Sequence, residues 1–182
     1  MNATDLAPPT ALAPVPSRVL GVDPGLNVTG YAVLDPGARG PLIVEAGVIR
    51  GGDSSRVMAL RLDTIYRGVL EVIDAFLPAA LALEQVHSHV NHPRTAILMA
   101  HARGVIVLAA GRRGIPVAGY AATRIKKCLT GSGRAPKPQM QHAIQAELRL
   151  DRLPEPHDVA DACAVAICQL QIEANRRGLP LR

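Results

Sequence analysis

The sequence predicts a single α/β domain in which a five-stranded mixed sheet is flanked by helices. The chain of 182 residues has the length of one domain, and 48% of its residues are hydrophobic, enough for one core. Short apolar runs separated by Gly, Pro and Asn open the chain, which is typical of an antiparallel meander. Later apolar runs alternate with segments of helical period, the pattern of strands connected by helices.

Five apolar segments predict strands and four segments of longer period predict helices. The strands are "RVLGVD" (18–23), "TGYAVLD" (29–35), "PLIVEAGVIR" (41–50), "ALALEQV" (80–86) and "IPVAGYA" (115–121). The helices are expected at 55–78, 94–114, 136–150 and 157–175. In the first helix apolar residues recur every three or four positions, and Pro78 ends it. The resulting order is β-β-β-α-β-α-β-α-α, with a Gly-rich basic loop at 122–139.

The helix predicted at 94–114 is made mostly of small and apolar residues. Such a helix is expected to be buried on nearly all sides, either in the core or in a subunit interface. The sequence has no uninterrupted apolar run of about 18 residues, so we predict no membrane span. The three widely spaced cysteines form no zinc pattern and indicate a reducing, cytoplasmic setting. They are Cys128, Cys163 and Cys168.

The two ends of the chain are predicted to lie outside the domain. Residues 1–17 are rich in Ala and Pro, which disfavours regular structure, and they lack the pattern of a signal peptide. We therefore expect a disordered extension there. Residues 175–182 are predicted to form a flexible tail, which leaves residues 18–174 as the domain.

The charge balance is compatible with an anionic partner. The formal net charge is +5 and the isoelectric point is about 9.6. These values fit nucleic-acid binding and fit an ordinary basic protein equally well. Three Tyr, one Phe and no Trp are few for a surface on which single-stranded bases stack. Recognition of a duplex or of the phosphate backbone agrees better with this composition.

Four carboxylates occupy the ends of predicted elements. Asp23 and Glu84 each follow an apolar strand, while Asp158 and Asp161 lie three residues apart and share one face at the start of the last helix. Four such charges gathered together require neutralisation, and oxygen ligands of this kind suit Mg²⁺. Taken singly, Asp23 fits a turn, Glu84 fits a pair with an Arg, and Asp158 fits a helix cap.

Four motifs in order resemble one family. "GVDPGLNVTGYAV", "ALEQV", "ARGV" and "DVADACAVAI" lie between about residues 18 and 172, and together they resemble the RuvC Holliday-junction resolvases. The resemblance implies a ribonuclease H-like fold, a homodimer, and metal-dependent paired nicking of four-way DNA junctions. It implies two Mg²⁺ per site, with Mn²⁺ as a possible substitute, and RuvA and RuvB as partners. The catalytic and metal-binding acids by motif position are Asp23, Glu84, Asp158 and Asp161.

The segment 122–139 concentrates positive charge that can contact phosphates. Composition alone is equally consistent with a solvated loop. The family carries lysines that match Lys126 and Lys137, so the resemblance assigns those two to DNA binding. Their basic neighbours are assigned with them. These are Arg124, Lys127 and Arg134.

The segment "QVHSHVNHPR" holds His87, His89 and His92, with His101 further on. One loop rarely closes a tetrahedral zinc site by itself, so we favour a polar loop over a zinc site. His87 stands where the family often has an aromatic residue that stacks on a base. We assign His87 to DNA binding and expect a changed preference at the cleaved step.

Two other functions stay open at this point. A catalytically silent junction-binding protein is one alternative, although the intact set of four acids argues against it. A ribonuclease H-type nuclease that acts on RNA–DNA hybrids is the other.

Overall fold

The structure is a computed structural model that describes residues 18–85 and 93–178, and it confirms the predicted five-stranded mixed sheet flanked by helices. The strands are β1 (Val19–Asp23), β2 (Val28–Asp35), β3 (Leu42–Arg50), β4 (Ala80–Glu84) and β5 (Val117–Tyr120). The helices are α1 (Met58–Phe76), α2 (Pro93–Arg112), α3 (Ala122–Thr130), α4 (Lys137–Leu148) and α5 (His157–Arg176).

The sheet has the order β3-β2-β1-β4-β5, so β1 is its central strand. The first three strands form the antiparallel meander expected from their short connections. Strand β4 then pairs in parallel with β1, and β5 pairs in parallel with β4. Parallel neighbours need a crossover connection, and α1 and α2 provide the two crossovers.

Each face of the sheet has its own core. On β1, Leu20 and Val22 pack into the cluster that includes α1 and α2. Leu83 of β4 joins the same cluster. Because alternate side chains point to opposite faces of a strand, Asp23 and Glu84 belong to the other face, which α5 covers.

Helix α5 lies unusually close to the central strands. A Cβ atom added at Gly21 would stand 2.3 Å from the carbonyl oxygen of Ala162, and one added at Gly30 would stand 2.0 Å from that of Asp158. Real Cβ atoms do not approach carbonyl oxygens so closely. The two glycines therefore let the helix backbone rest directly on β1 and β2, which fixes the height and position of its first turn.

The prediction of a loop throughout 122–139 was wrong, because residues 122–130 form α3. Ile125 is buried against α5, and Cys128 and Leu129 also pack on the hydrophobic cluster between α5 and the sheet. Basic and hydroxyl side chains make up most of the rest of this short helix and hide its apolar stripe in the sequence. The helix ends at Gly131, whose φ of 76° suits glycine.

The prediction that 94–114 is buried on nearly all sides is not met within one chain. Only 22% of the apolar stretch in 94–112 is buried, and Ile97 and Leu108 are 58% and 55% exposed. By length and composition α2 is also the one described helix that could cross a bilayer. One side of α2 packs on α1 and contributes four fully buried residues to the core, so the core accounts for that side alone and a subunit interface on the other side stays a prediction.

The ends of the chain are only partly described. Residues 1–17 lie outside the described residues, and so do 179–182 of the predicted tail. Helix α5 continues to Arg176, so regular structure extends past the start predicted for the tail.

Substitution of Gly21 by Ala is expected to destabilise the fold by about 1–3 kcal/mol, the usual cost of overpacking a tight core contact. Gly111→Ala is the matched control, because an added Cβ in α2 meets nothing within 4 Å and Ala favours a helix over Gly. Urea unfolding followed by circular dichroism measures both free energies. Equal stability of the two variants would contradict the close seating of α5.

Candidate active site

Two of the four predicted acids lie at the ends of adjacent parallel strands. The register of β1 and β4 pairs Val22 with Leu83. The next residues along the two strands are Asp23 and Glu84, and neighbouring strands are about 4.8 Å apart. Both carboxylates lie on the α5 face, so the sheet holds them side by side.

The start of α5 brings the other two acids to the same place. Gly30 of β2 is paired with Asp23, and the backbone of Asp158 lies directly against Gly30. Asp161 follows three residues later on the same face of the helix. The structure thus brings together all four acids predicted to converge. Gly30 was not predicted as part of this arrangement, although a glycine opposite a strand-end acid signals a close backbone approach.

Burial and mutual repulsion act on the central acid. The pKa of Asp23 is raised to about 7, first by burial and then by the charges of Asp161, Glu84 and Asp158. Burial also raises the pKa of Asp161, while Lys137 opposes this shift. These carboxylates are close enough to repel one another and are held in a partly desolvated position.

The donor set fits a hard divalent cation. Carboxylate oxygens are the ligands that Mg²⁺ and Mn²⁺ prefer, and a cation would relieve the repulsion that raises the pKa of Asp23. Within residues 18–85 and 93–178, no three His, Cys, Asp or Glu side chains are already grouped as a metal-binding set.

A cleft of about 220 Å³ opens beside the acids. Glu84 and Asp161 line it together with Lys126 of α3 and Lys137 of α4. Apolar side chains that include Ile125 form the remaining wall. The cleft therefore sets two cationic side chains opposite two carboxylates, an arrangement that can hold a phosphate between lysines and a metal site.

The other predicted basic residues lie outside this cleft. Arg124 and Lys127 are exposed on α3, and Arg134 is exposed in the segment before α4. Lys126 is half-buried and lines the cleft, whereas its neighbour Lys127 is exposed and does not line it. The two side chains differ because successive residues lie on different sides of a helix. A predicted loop has no defined faces, so the directions of these two lysines could not be distinguished before α3 was known.

The histidine and cysteine predictions are only partly covered. The segment with His87, His89 and His92 lies outside the described residues. Cys163 and Cys168 are buried among apolar residues of α5, as predicted. Burial raises the pKa of Cys163 to about 12, which keeps its thiol protonated and unreactive.

The turn after Asp23 is rigid. The hydroxyl of Thr29 donates to the carbonyl oxygen of Gly25 at 2.7 Å, and a Cβ at Gly25 would stand 2.1 Å from the carbonyl oxygen of Val28. The chain thus leaves the strand in a tight turn that only glycine fits at this position. This turn keeps the backbone clear of the space in front of Asp23.

Comparison with known proteins places this geometry in a family context. The family model described as "Crossover junction endodeoxyribonuclease RuvC" matches residues 19–169. A crossover junction endodeoxyribonuclease RuvC from Rhodopirellula baltica is 51% identical over 152 residues, which is 84% of this chain and 85% of that protein.

Two solved structures from Thermus thermophilus share the fold. The RuvC structure is 30% identical, has a TM-score of 0.78, and covers 88% of this chain and 96% of its own. RuvC in complex with a Holliday junction substrate is 28% identical with the same TM-score, covering 89% and 96%. The similarity thus spans almost all of the described residues.

The raised pKa of Asp23 predicts a specific pH dependence of stability in metal-free protein. Because the folded state keeps the proton up to about pH 7 and the unfolded state loses it near pH 4, stability falls as pH rises through this window. The loss is at most about 4 kcal/mol, at roughly 1.4 kcal/mol per pKa unit. Asp23→Asn is therefore expected to be more stable than wild type at pH 8, with the difference vanishing near pH 4.

Asp35→Asn is the control with the opposite sign. A bidentate pair with Arg18, at 2.8 and 3.0 Å, lowers the pKa of Asp35, so its contribution is present at neutral pH and is lost on acidification. Urea unfolding in EDTA from pH 4 to pH 8 measures both variants. A stability of Asp23→Asn that runs parallel to wild type at all pH values would contradict the shift.

Proposed function

The chain belongs to the RuvC family of crossover junction endodeoxyribonucleases, and we propose that it resolves four-way DNA junctions by paired, metal-dependent nicks. The observation that carries this proposal is the convergence of four carboxylates at one edge of the sheet, next to a cleft with two lysines. A phosphodiester is the substrate class that uses both halves of this arrangement.

We propose that Asp23, Glu84, Asp158 and Asp161 would hold two divalent cations, with Asp23 as the central ligand because the charges of the other three acids all act on it. When bound, the ions would activate a water molecule and stabilise the leaving oxygen. Mg²⁺ is the proposed physiological ion, and Mn²⁺ is expected to substitute because both accept carboxylate and water ligands.

The protein's own residues orient the scissile phosphate. Lys126 and Lys137 face the carboxylates across the cleft, so they are placed to neutralise the charge that develops on the phosphate. The half-buried position of Lys126 fixes its direction, whereas the exposed Arg124, Lys127 and Arg134 suit looser contacts with the DNA backbone. His87 is proposed to contact bases near the cut.

Paired cuts on a two-fold symmetric junction require two equivalent active sites, so we propose a homodimer. The exposed apolar side of α2, with Ile97 and Leu108, is the proposed interface. Burial there also explains the apolarity of α2 without a membrane. RuvA and RuvB are proposed partners by family, and the free thiols agree with a cytoplasmic protein.

Cleavage assays on four-way junctions, RNA–DNA hybrids and plain duplexes test the reaction. The wild type with Mg²⁺ is expected to cut the junction alone and to leave 5′-phosphate ends. Asp23→Asn is expected to bind the junction but to cut it more than about 100-fold more slowly, because even groups that only support metal ligands change activity 10- to 100-fold. Preference for the hybrid would favour a ribonuclease H activity, and binding without any cleavage would favour a silent binding protein.

Substitution of Lys126 is expected to separate catalysis from binding. Lys126→Gln should slow single-turnover cleavage at saturating junction by about 100-fold, the cost of one transition-state donor. The neighbouring Lys127→Gln is the control, because Lys127 is exposed and outside the cleft. It should weaken binding only slightly, and this loss should disappear at low salt. Equal effects of the two substitutions would show that the cleft does not orient the phosphate.

The dimer surface is testable in the same way. Leu108→Glu in α2 is expected to convert a dimer into a monomer, since a buried unpaired charge is costly. Val57→Glu is the control, because Val57 is 64% exposed and lies outside α2. Light scattering after size exclusion measures the mass of each. A monomeric wild type, or a dimeric Leu108→Glu, would refute α2 as the interface.

A further inference from the structure

A second depression, of about 380 Å³, shares no lining residue with the cleft that contains Lys126 and Lys137, which we call the lysine cleft. Asp158 and the turn at residues 25–28 line it. Leu98 and Met99 of α2 also line it. We call this depression the turn groove. The lysine cleft instead contains Glu84 and Asp161, so both depressions adjoin the acids of the candidate site.

Asn27 is an exposed residue that lines the turn groove, and a hydrogen bond from a buried residue fixes the orientation of its side-chain amide. Arg61 of α1 is only 5% exposed, and one terminal nitrogen of its guanidinium donates to Oδ1 of Asn27. A guanidinium has donors and no acceptor, so Asn27 must offer its oxygen to Arg61. The Nδ2 group, with two donors, is thereby left to face away from Arg61.

The backbone of Asn27 is held as firmly as its side chain. The Gly51 amide donates to the Asn27 carbonyl at 3.0 Å, and a Cβ at Gly51 would stand 2.2 Å from the Leu26 carbonyl oxygen. The turn is therefore tied to the end of β3 on one side and to α1 on the other. An amide fixed in this way presents a donor at low entropic cost.

From this geometry we propose that the turn groove binds a nucleotide next to the cleaved phosphate, and that Nδ2 of Asn27 donates to an acceptor on it. This inference rests on the proposed function. A strand whose phosphate lies at the acids must continue past them, and the turn groove adjoins Asp158. Its apolar wall suits a sugar or base. The acceptor is a base-edge atom or a phosphate oxygen.

Arg61 is a positioning residue in this proposal. Its cation is buried on the apolar side of α1, one turn before the fully buried Ile65. A buried charge is costly unless it is partnered, and Asn27 is a partner that connects it to the groove. The arrangement fixes which end of the Asn27 amide the DNA meets.

Two substitutions of Asn27 separate a substrate contact from a structural one. Asn27→Asp keeps an oxygen for Arg61 and should leave thermal stability at or above wild type, but it removes the donor. Asn27→Ala removes the donor without adding charge. Both are expected to weaken junction binding in EDTA at least about 10-fold, the effect of one hydrogen bond to a polar or charged partner. Asn175→Ala, an exposed Asn near the other end of α5, is the control.

The outcomes decide the proposal. Wild-type binding by Asn27→Asp with a loss in Asn27→Ala would mean that Asn27 serves only Arg61. A loss confined to Asn27→Asp would mean charge repulsion, and either result overturns the inference. Because the readout is binding, a wild type that binds the junction without cutting it would overturn the proposed cleavage alone.

Modified junctions distinguish the two sources of the acceptor. Single methylphosphonate linkages or abasic nucleotides are placed in turn on each side of the cut. A modification that abolishes the difference between wild type and Asn27→Ala identifies a phosphate oxygen or a base, respectively, as the acceptor. A difference that survives every modification would overturn the proposed contact.

Discussion

The contact between α5 and the two central strands is the constraint on which the candidate active site depends. Gly21 and Gly30 lack the Cβ atoms that would lift the helix from the sheet. Because the helix backbone rests on the strands, its first turn lies at the height of the strand ends. Asp158 and Asp161 then meet Asp23 and Glu84 without any long side chain having to reach.

The same closeness creates the electrostatic problem that a cation solves. Burial and then the charges of three neighbouring carboxylates raise the pKa of Asp23 to about 7, so part of this shift is repulsion within the metal-free site. The carboxylates that would bind a cation therefore destabilise the metal-free fold. Such a conflict between stability and function is common at functional sites. Lys137 only partly offsets this effect, since it opposes the rise in the pKa of Asp161 without reversing it.

The two faces of the sheet contribute different parts of the candidate site. The face under α5 supplies the acids and, through α3 and α4, the lysines. The opposite face supplies α1, whose Arg61 holds the turn after Asp23, and α2, which leaves an apolar surface exposed. In the proposed enzyme, chemistry lies on one side, while substrate positioning at the turn groove and dimer formation draw on the other.

Much of this protein was determined by local sequence. Apolar period predicted all five strands and four of the five helices, and the four acids stood out because each ends or begins an apolar element. The sequence did not reveal α3, because its apolar stripe is short and Ile125 is buried only once α5 is in place. The sequence also could not show that Lys126 and Lys127 point in different directions, since a predicted loop has no defined faces.

Only the tertiary structure decided which residues meet. The parallel register of β1 and β4 sets Asp23 beside Glu84, and this register depends on the crossover through α1 rather than on any local motif. The hydrogen bond between Arg61 and Asn27 joins residues 34 positions apart, and nothing in the sequence around either residue indicates that they pair. Residue chemistry is written along the chain, whereas distance between residues is fixed by packing, and the active site requires both.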